Sequence, residues 1–291
     1  GHRWAVQWGP LIEGDLRNPA ALPEALKGIE GVIHFAGDIS VGESMSNPRK
    51  FFGNNVVGTL NLLNAMVDAG VKRIVFSSTA AVYGDPEFVP IPESHPRNPV
   101  SPYGDSKLFV EKMLRWYGEA YGMRSAALRY FNAAGADPGG AVGEDHAPET
   151  HLIPLVIAAA HGLRPAVDLY GTDYPTPDGT AIRDYIHVAD LADAHVRSLA
   201  ALESCETNLT LNLGTGTGST VREVIQAVEK ASGRAVPVRE CGRRAGDPPS
   251  LVADARLAGN VLGWKPKYSA LSTIAETAWK WHSRSRSGVS S

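Results

Sequence analysis

Apolar positions along the chain fall into two alternating textures. Short continuous apolar runs predict buried strands at Gly31–Gly37 (GVIHFAG), 71–78 (VKRIVFSS), 124–131 (RSAALRYF) and Leu209–Leu213. Amphipathic stretches separate them. In FFGNNVVGTLNLLNAMVDAG, residues Val56, Leu60, Leu63 and Val67 recur at helical spacing, and Gly70 supplies a C-terminal stop. SPYGDSKLFVEKMLRWYGEAYG predicts a long helix begun by Ser101, with Pro102 near its first position. Further helices are expected near Val188–Leu202, Thr220–Ala231, Ala255–Leu262 and Leu271–Trp281, and a short strand at Leu11–Glu13. Buried strands alternating with helices imply βαβ units and a parallel sheet covered on both faces.

After Asn132 the texture changes. NAAGADPGGAVGEDHAPET is a long loop rich in glycine, proline and acid, and such loops in compact domains are usually functional or disordered. The expected fold is α/β: a doubly wound, Rossmann-like domain over 1–132, with a smaller substrate domain over 133–291 interleaved with it. There are no internal repeats. The C-terminal SRSRSGVSS reads as a frayed polar tail.

Composition narrows the classes. With 43% hydrophobic and 20% charged residues, the 291-residue chain is an ordinary globular one. A net charge of −3 argues against a nucleic-acid partner. The longest apolar run, Leu152–Ala160, contains Pro154 and is too short to cross a membrane. No signal peptide is visible. The two cysteines, Cys205 and Cys241, form no C-x-x-C pair and fit free thiols in the cytoplasm.

Chemistry enters at YGDSK. Tyr103 and Lys107 are four apart and share one helix face. A tyrosine titrating near ~10 must be lowered by roughly 3 units, about 4 kcal/mol, to act as a base at neutral pH. A nearby lysine ammonium supplies such a bias. The bare Y-x-x-x-K pattern is common by chance. It gains force from FSSTAAVYG, because Ser77, Ser78 and Thr79 end a parallel strand, where ligands bind in such sheets. The bland alternative is that these hydroxyls only cap a turn.

Three other patterns carry less weight. HAPETH offers His146 and His151 but no evident third ligand, so no metal is expected. NLGTGTGST spaces its glycines as G-x-G-x-G rather than as a dinucleotide loop. DLADAH (Asp190, Asp193, His195) reads as helix-surface polarity, and Arg243 as a solvated charge.

At this point the sequence resembles the extended short-chain dehydrogenase/reductase family, and within it the UDP-glucose 4-epimerases. The matching stretches are EGDLRN, HFAG…VGES, NNVVGTLNLL, FSSTAAVYGDP, SPYGDSK, RYFNAAGA, ETHLIPL, YGTDYPTPDGTAIRDYIHVADLADAH, NLGTGTG and GRRAGDPPSLVAD, in family order over nearly the whole chain. The resemblance implies tightly bound NAD, Tyr103 as the base on the sugar 4-hydroxyl helped by Thr79, and Lys107 holding the nicotinamide ribose. It implies cofactor contacts at Asp15, Leu16, Phe35, Ala36, Gly37, Asn54, Thr79, Tyr103, Lys107 and Phe131. It places Thr79, Tyr103, Asn132, Leu152, Tyr170, Arg183, Arg244, Asp247 and Leu251 around a UDP-sugar. A homodimer is implied by the resemblance alone.

Departures sharpen the expectation. Ile39 stands where some members carry a lysine, and Leu251 where some carry a tyrosine, leaving room for an N-acetyl group. Thr79 is followed by Ala80 and Ala81, which transfer no protons, so dehydration on the same fold is disfavoured. The family opens with a glycine-rich βαβ unit of roughly 30 or more residues. Here GHR reads as the exit from that unit's second strand and EGDL as the end of a third. If that start is genuine, the alternatives are an inactive UDP-sugar-binding homologue or another nucleotide-sugar-modifying enzyme.

Overall fold

The computed structural model describes residues 1–205, 207–244 and 246–284. Along the chain run α1 (Leu22–Leu26), β1 (Gly31–His34), α2 (Val41–Ser46), α3 (Pro48–Phe51), a π-helical turn (Phe52–Val57) and α4 (Gly58–Asp68). They are followed by β2 (Arg73–Thr79), α5 (Pro102–Tyr121), β3 (Arg124–Tyr130), β4 (Asn132–Ala134), α6 (Leu152–Ala160) and β5 (Val167–Tyr170). Then come β6 (Ile182–Arg183), β7 (Tyr185–His187), α7 (Val188–Ala201), β8 (Leu209–Leu213) and β9 (Ser219–Thr220). The last elements are α8 (Val221–Ser232), β10 (Val238–Cys241), β11 (Ser250–Leu251), α9 (Arg256–Leu262) and α10 (Leu271–Arg284). The expected polar tail begins inside α10, and its residues 285–291 lie outside the described residues.

Two compact units divide the chain. One holds Gly1–Gly84, Pro96–Arg129 and His195–Leu211; the other holds Asp85–His95, Tyr130–Ala194 and the chain from Asn212 onward. The first is built on the sheet order β1-β2-β3-β8, with β1 parallel to β2 and Ile33 opposite Val75. Its core gathers Leu62, Leu63 and Met66 of α4, Ile74 and Phe76 of β2, and Val110 and Leu114 of α5. This is the Rossmann-like parallel sheet that the alternating pattern foretold.

Two expectations are corrected here. Leu11–Glu13 forms no strand: no strand pairs with it among the described residues, and Leu11 and Ile12 stay exposed. Without a ladder its backbone has nothing to hold it extended. The apolar spacing of α4 is kept only in part: Leu63 and Val67 meet the core beside Leu62 and Met66, whereas Leu60 faces outward. The wide turn just before α4 adds a residue to the helical path and rotates the stripe away from the Val56–Leu60 register.

In the second unit, Ile153, Val156 and Ile157 of α6 pack with Val224 and Val228 of α8 and with Ile274 and Ala278 of α10. Helix α8 starts in a capping box, in which the Thr220 hydroxyl accepts the Glu223 amide and Glu223 accepts the Thr220 amide. Strands β4 and β7 pair in parallel, as do β5 and β10; β6 lies between parallel β11 and antiparallel β9.

Candidate active site

Helix α5 is fixed at both ends by its own sequence. Ser101 Oγ accepts the Gly104 amide at 3.2 Å, Pro102 fills the first turn, and Gly122 closes the helix at φ 66°. Gly104 is required where it stands. A Cβ there would lie 2.6 Å from the Ala81 carbonyl oxygen, so the turns carrying Tyr103 and Thr79 meet backbone to backbone.

Residues 103, 107 and 111 follow at four-residue spacing, and two of them grip consecutive residues of β2. Lys107 Nζ donates to the Ser77 carbonyl at 2.9 Å, and Ser78 Oγ donates to Glu111 Oε1 at 2.6 Å. Lys107 is 3% exposed, and burial lowers its ammonium to about 8. That ammonium lies 4.9 Å from the Phe76 ring centroid and 6.0 Å from that of Tyr103. Thr79 Oγ1 accepts the Ala81 amide at 3.1 Å, so it does cap a turn, and its O–H remains available to donate. Glu111 is held in turn by Arg129, with Nε to Oε1 at 2.9 Å and Nη2 to Oε2 at 2.5 Å, while Arg129 Nη1 donates to the Tyr83 hydroxyl at 2.9 Å.

The residues expected near a dinucleotide occupy several settings. Phe35, Ala36 and Gly37 leave the carboxyl end of β1 exposed. A Cβ at Gly37 would fall 2.9 Å from Asn55 Oδ1 and 3.6 Å from Lys107 Nζ. Asn54 donates to the Asp38 carboxylate. Asn55, which the sequence reading missed, accepts the Asp38 amide at 2.8 Å and donates to Asp38 O and Ser106 Oγ, each at 3.0 Å. It thereby ties the turn after β1 to α5. Its only sequence signal is the doubled asparagine. Asp15 is exposed and takes a bidentate grip from Arg17, whose hydrogen bonds hold its carboxyl at about 2. The Leu16 carbonyl accepts from Asn61 at 2.9 Å, and Phe131 sits half-buried between β3 and β4.

The second unit contains a cavity of about 580 Å³ whose wall brings together Asn132, Leu152, Tyr170, Arg183, Arg244 and Asp247. Leu251 is not on that wall; it sits on β11, in register with Arg183. Arg183 is largely buried, donating to the carbonyls of Ile182 and Pro248 at 2.8 and 3.0 Å and to Asp247 Oδ1 at 3.4 Å. The Arg244 guanidinium lies 4.4 Å over the Tyr170 ring, a flat cationic–aromatic pair. Arg243 is not simply solvated: it pairs with Asp173 at 2.8 Å and covers Tyr174 at 4.4 Å.

The weaker patterns also resolve. The amides of Thr215 and Gly216, the Thr215 hydroxyl and the Ala253 amide converge on the buried carboxylate of Asp184 at 2.7–3.1 Å. The glycine-rich loop thus cradles an anion from its own chain. Asp190 and His195 are buried, which corrects their reading as surface polarity. Asp190 accepts the Lys267 and Tyr268 amides and the Ser269 hydroxyl, and His195 lies 4.6 Å from the Phe35 ring. These partners are remote in sequence, so helical spacing gave no sign of them. His146 and His151 do acquire further neighbours: Glu144 and Glu149 converge on them, and hydrogen bonds first to Glu144 and then to Glu149 raise the His151 imidazole to about 10.

The model of the NAD dependent epimerase/dehydratase family matches residues 2–214. The UDP-glucose 4-epimerase of Rhizobium leguminosarum bv. trifolii is 52% identical over 287 residues, spanning 98% of this chain and 88% of that relative. A crystal structure of UDP-glucose 4-epimerase from Brucella ovis in complex with NAD superposes with a TM-score of 0.94 at 50% identity, over 96% of this chain and 87% of that one. The Bifidobacterium longum UDP-glucose 4-epimerase in complex with NAD+ and UDP superposes with a TM-score of 0.87 at 41% identity, over 95% of this chain and 83% of that one.

Proposed function

The chain belongs to the NAD dependent epimerase/dehydratase family, and from that premise we infer that it carries out NAD-dependent 4-epimerisation of UDP-sugars, interconverting UDP-glucose and UDP-galactose through a transient 4-keto sugar. The observation that carries this reading is the α5 face on which Tyr103 and the buried Lys107 stand against the hydroxyl-bearing end of β2. The residues fit the nicotinamide end of NAD: the strip Phe35–Gly37 is open, glycine is needed at 37, and a buried ammonium lies beside it. When bound, NAD takes up the hydride from sugar C4 and returns it to the opposite face, so no net redox change results.

Tyr103 removes the proton of the sugar 4-hydroxyl and gives it back, biased towards phenolate by the Lys107 charge. Thr79 donates to the same oxygen. Lys107 also holds the cofactor ribose, while Asp15, Leu16, Phe35, Ala36, Asn54 and Phe131 line the rest of the dinucleotide. In the second unit Tyr170 flanks the uracil, Arg183 and Arg244 meet the pyrophosphate, Asp247 takes ribose hydroxyls, and Asn132 and Leu152 complete the wall. Ala80 and Ala81 leave no acid to expel water, which supports epimerisation over dehydration on this fold. Leu251 lies off the cavity wall, so the expected room for an N-acetyl group rests only on its place in register with Arg183, which does line that wall.

Two coarser features complete the reading. Phe109 and Trp116 of α5 are 49% and 57% exposed, and Val57 and Leu60 are also exposed. Phe109 meets Phe52 edge to face at 6.3 Å, and this exposed apolar pair supports a homodimer. Free Cys205 and Cys241 support a cytoplasmic setting; no helix among the described residues is long and apolar enough to cross a membrane. The decisive assay follows UDP-galactose formed from UDP-glucose with NAD present. No interconversion by the NAD-loaded protein overturns the assignment.

A further inference from the structure

The stretch 144–151 reads E-D-H-A-P-E-T-H, and it folds so that four of its side chains point at one spot. His151 Nδ1 lies 2.7 Å from Glu144 Oε1 and 3.0 Å from Glu149 Oε1. His146 Nδ1 lies 3.1 Å from Glu144 Oε1 and 3.7 Å from Glu149 Oε2. One donor atom from each of the four residues lies within 4.8 Å of every other. Zinc bonds to imidazole nitrogen and carboxylate oxygen are about 2.0–2.2 Å, so the edges of a tetrahedral site measure about 3.3–3.6 Å. Three of the four nitrogen–oxygen separations fall short of that edge and one just exceeds it, so a bound ion would spread the closest pair, His151 and Glu144, by about 0.6–0.9 Å. We propose that Glu144, His146, Glu149 and His151 form a structural zinc site.

Charge and donor type point the same way. Among the described residues, the only ionic partners of Glu144 and Glu149 are the two histidines. With both imidazoles neutral, the cluster carries two negative charges, and one divalent cation cancels them. Two imidazoles select a borderline metal over calcium or magnesium, which prefer all-oxygen sets. Four protein donors close the tetrahedron and leave no open position, the mark of a structural rather than a hydrolytic zinc.

The backbone that carries these side chains is also braced. The Glu144 carbonyl accepts the Trp281 indole N–H at 2.8 Å, and Gly143 gives the indole room, since a Cβ there would lie 2.3 Å from the ring. Glu149 Oε1 accepts the Thr150 and His151 amides, each at 2.7 Å. Glu144, Glu149 and His151 belong to the same cavity wall as Asn132 and Leu152. A metal here fastens the loop that leads into α6 and stiffens that wall.

The test uses the full-length protein, purified with zinc in the growth medium and passed through a chelator-free column. Plasma mass spectrometry is expected to find about one zinc per chain. The variants His146→Gln and Glu144→Gln should lose the zinc while keeping their bound NAD and far-ultraviolet circular dichroism. Cobalt(II) added to metal-stripped protein should give the visible bands of tetrahedral coordination in the parent and not in His146→Gln. Substoichiometric zinc in the parent, equal zinc in parent and variants, or octahedral cobalt spectra would each overturn the proposal.

Discussion

Replacing Lys107 with methionine separates two things that the buried ammonium does. Methionine keeps much of the stem and removes the charge. Burial brings Lys107 from 10.5 to about 8, a shift worth about 3 kcal/mol. Below about pH 8 both the folded and unfolded chains carry the proton, so the folded protein bears that whole cost. Between about 8 and about 10.5 the unfolded chain holds more protons than the folded one, and stability rises with pH. The parent should therefore gain about 2.5 kcal/mol between about pH 7 and about pH 10 that Lys107→Met does not gain. Methionine also leaves the Ser77 carbonyl without its donor, at about 1–3 kcal/mol, but that loss does not vary with pH and drops out of the comparison. The assay is urea unfolding of both proteins by tryptophan fluorescence across that range, reading the difference in unfolding free energy. A difference that stays flat, or moves in the variant's favour as pH rises, refutes the assignment of a costly buried cation. The same substitution should lower kcat at least ~100-fold, since Tyr103 loses its charge partner.

Gly104→Ala should lower kcat by one to two orders of magnitude: its Cβ meets the Ala81 oxygen 2.6 Å away, and the displacement moves Tyr103 from Thr79, outweighing a helix-propensity gain of up to about 1 kcal/mol. Steady-state kinetics that leave kcat within a factor of two would discard that reading. Asp184→Ala strands two amides, a hydroxyl and the Ala253 amide, and should destabilise the protein by about 4 kcal/mol, read as a fall in thermal midpoint with Asp184→Asn in between. Arg244→Ala should weaken UDP binding in calorimetry by about 1–2 kcal/mol, through loss of the stacked cation over Tyr170. In light scattering the parent should run as the proposed dimer and Phe109→Asp as a monomer; a parent that runs as a monomer would refute the reading of this face.

The parts of the molecule legible in the sequence are those whose cause is local. Helix α5 announces itself through Ser101, Pro102 and Gly122, and the four-residue spacing of Tyr103 and Lys107 needs only helical geometry. The strands of the parallel sheet are readable because their burial makes them continuously apolar. What escaped depends on partners far along the chain. Glu111 looks like one more helix-surface acid until Arg129 and Ser78 reach it. Asp184 and the 214–218 glycines give no sign of one another, and Asp190 is claimed by amides some eighty residues later. The Leu11–Glu13 run is apolar enough for a strand, but a strand exists only where another strand receives it. For His146 and His151 the converging groups were Glu144 and Glu149, each two residues before a histidine, in acids that a search for histidine and cysteine spacing passes over.

The wide turn at Phe52–Val57 has a consequence for how this chain tolerates insertion and deletion. Helices ordinarily accept neither, because each added or lost residue turns everything downstream by about 100°. Here one surplus residue is already wound into the helix between α3 and α4, and it lets neighbouring Asn54 and Asn55 both bond to Asp38. Deleting one residue from the segment would relax it to ordinary winding without breaking the helix. The rotation downstream is kept, because the wide turn absorbs that one residue: Leu62, Leu63 and Met66 stay on the core, and the loss falls on the two asparagines, which part from Asp38. A single deletion here therefore spares the core and strikes only the turn after β1, which loses the paired asparagines that hold Asp38.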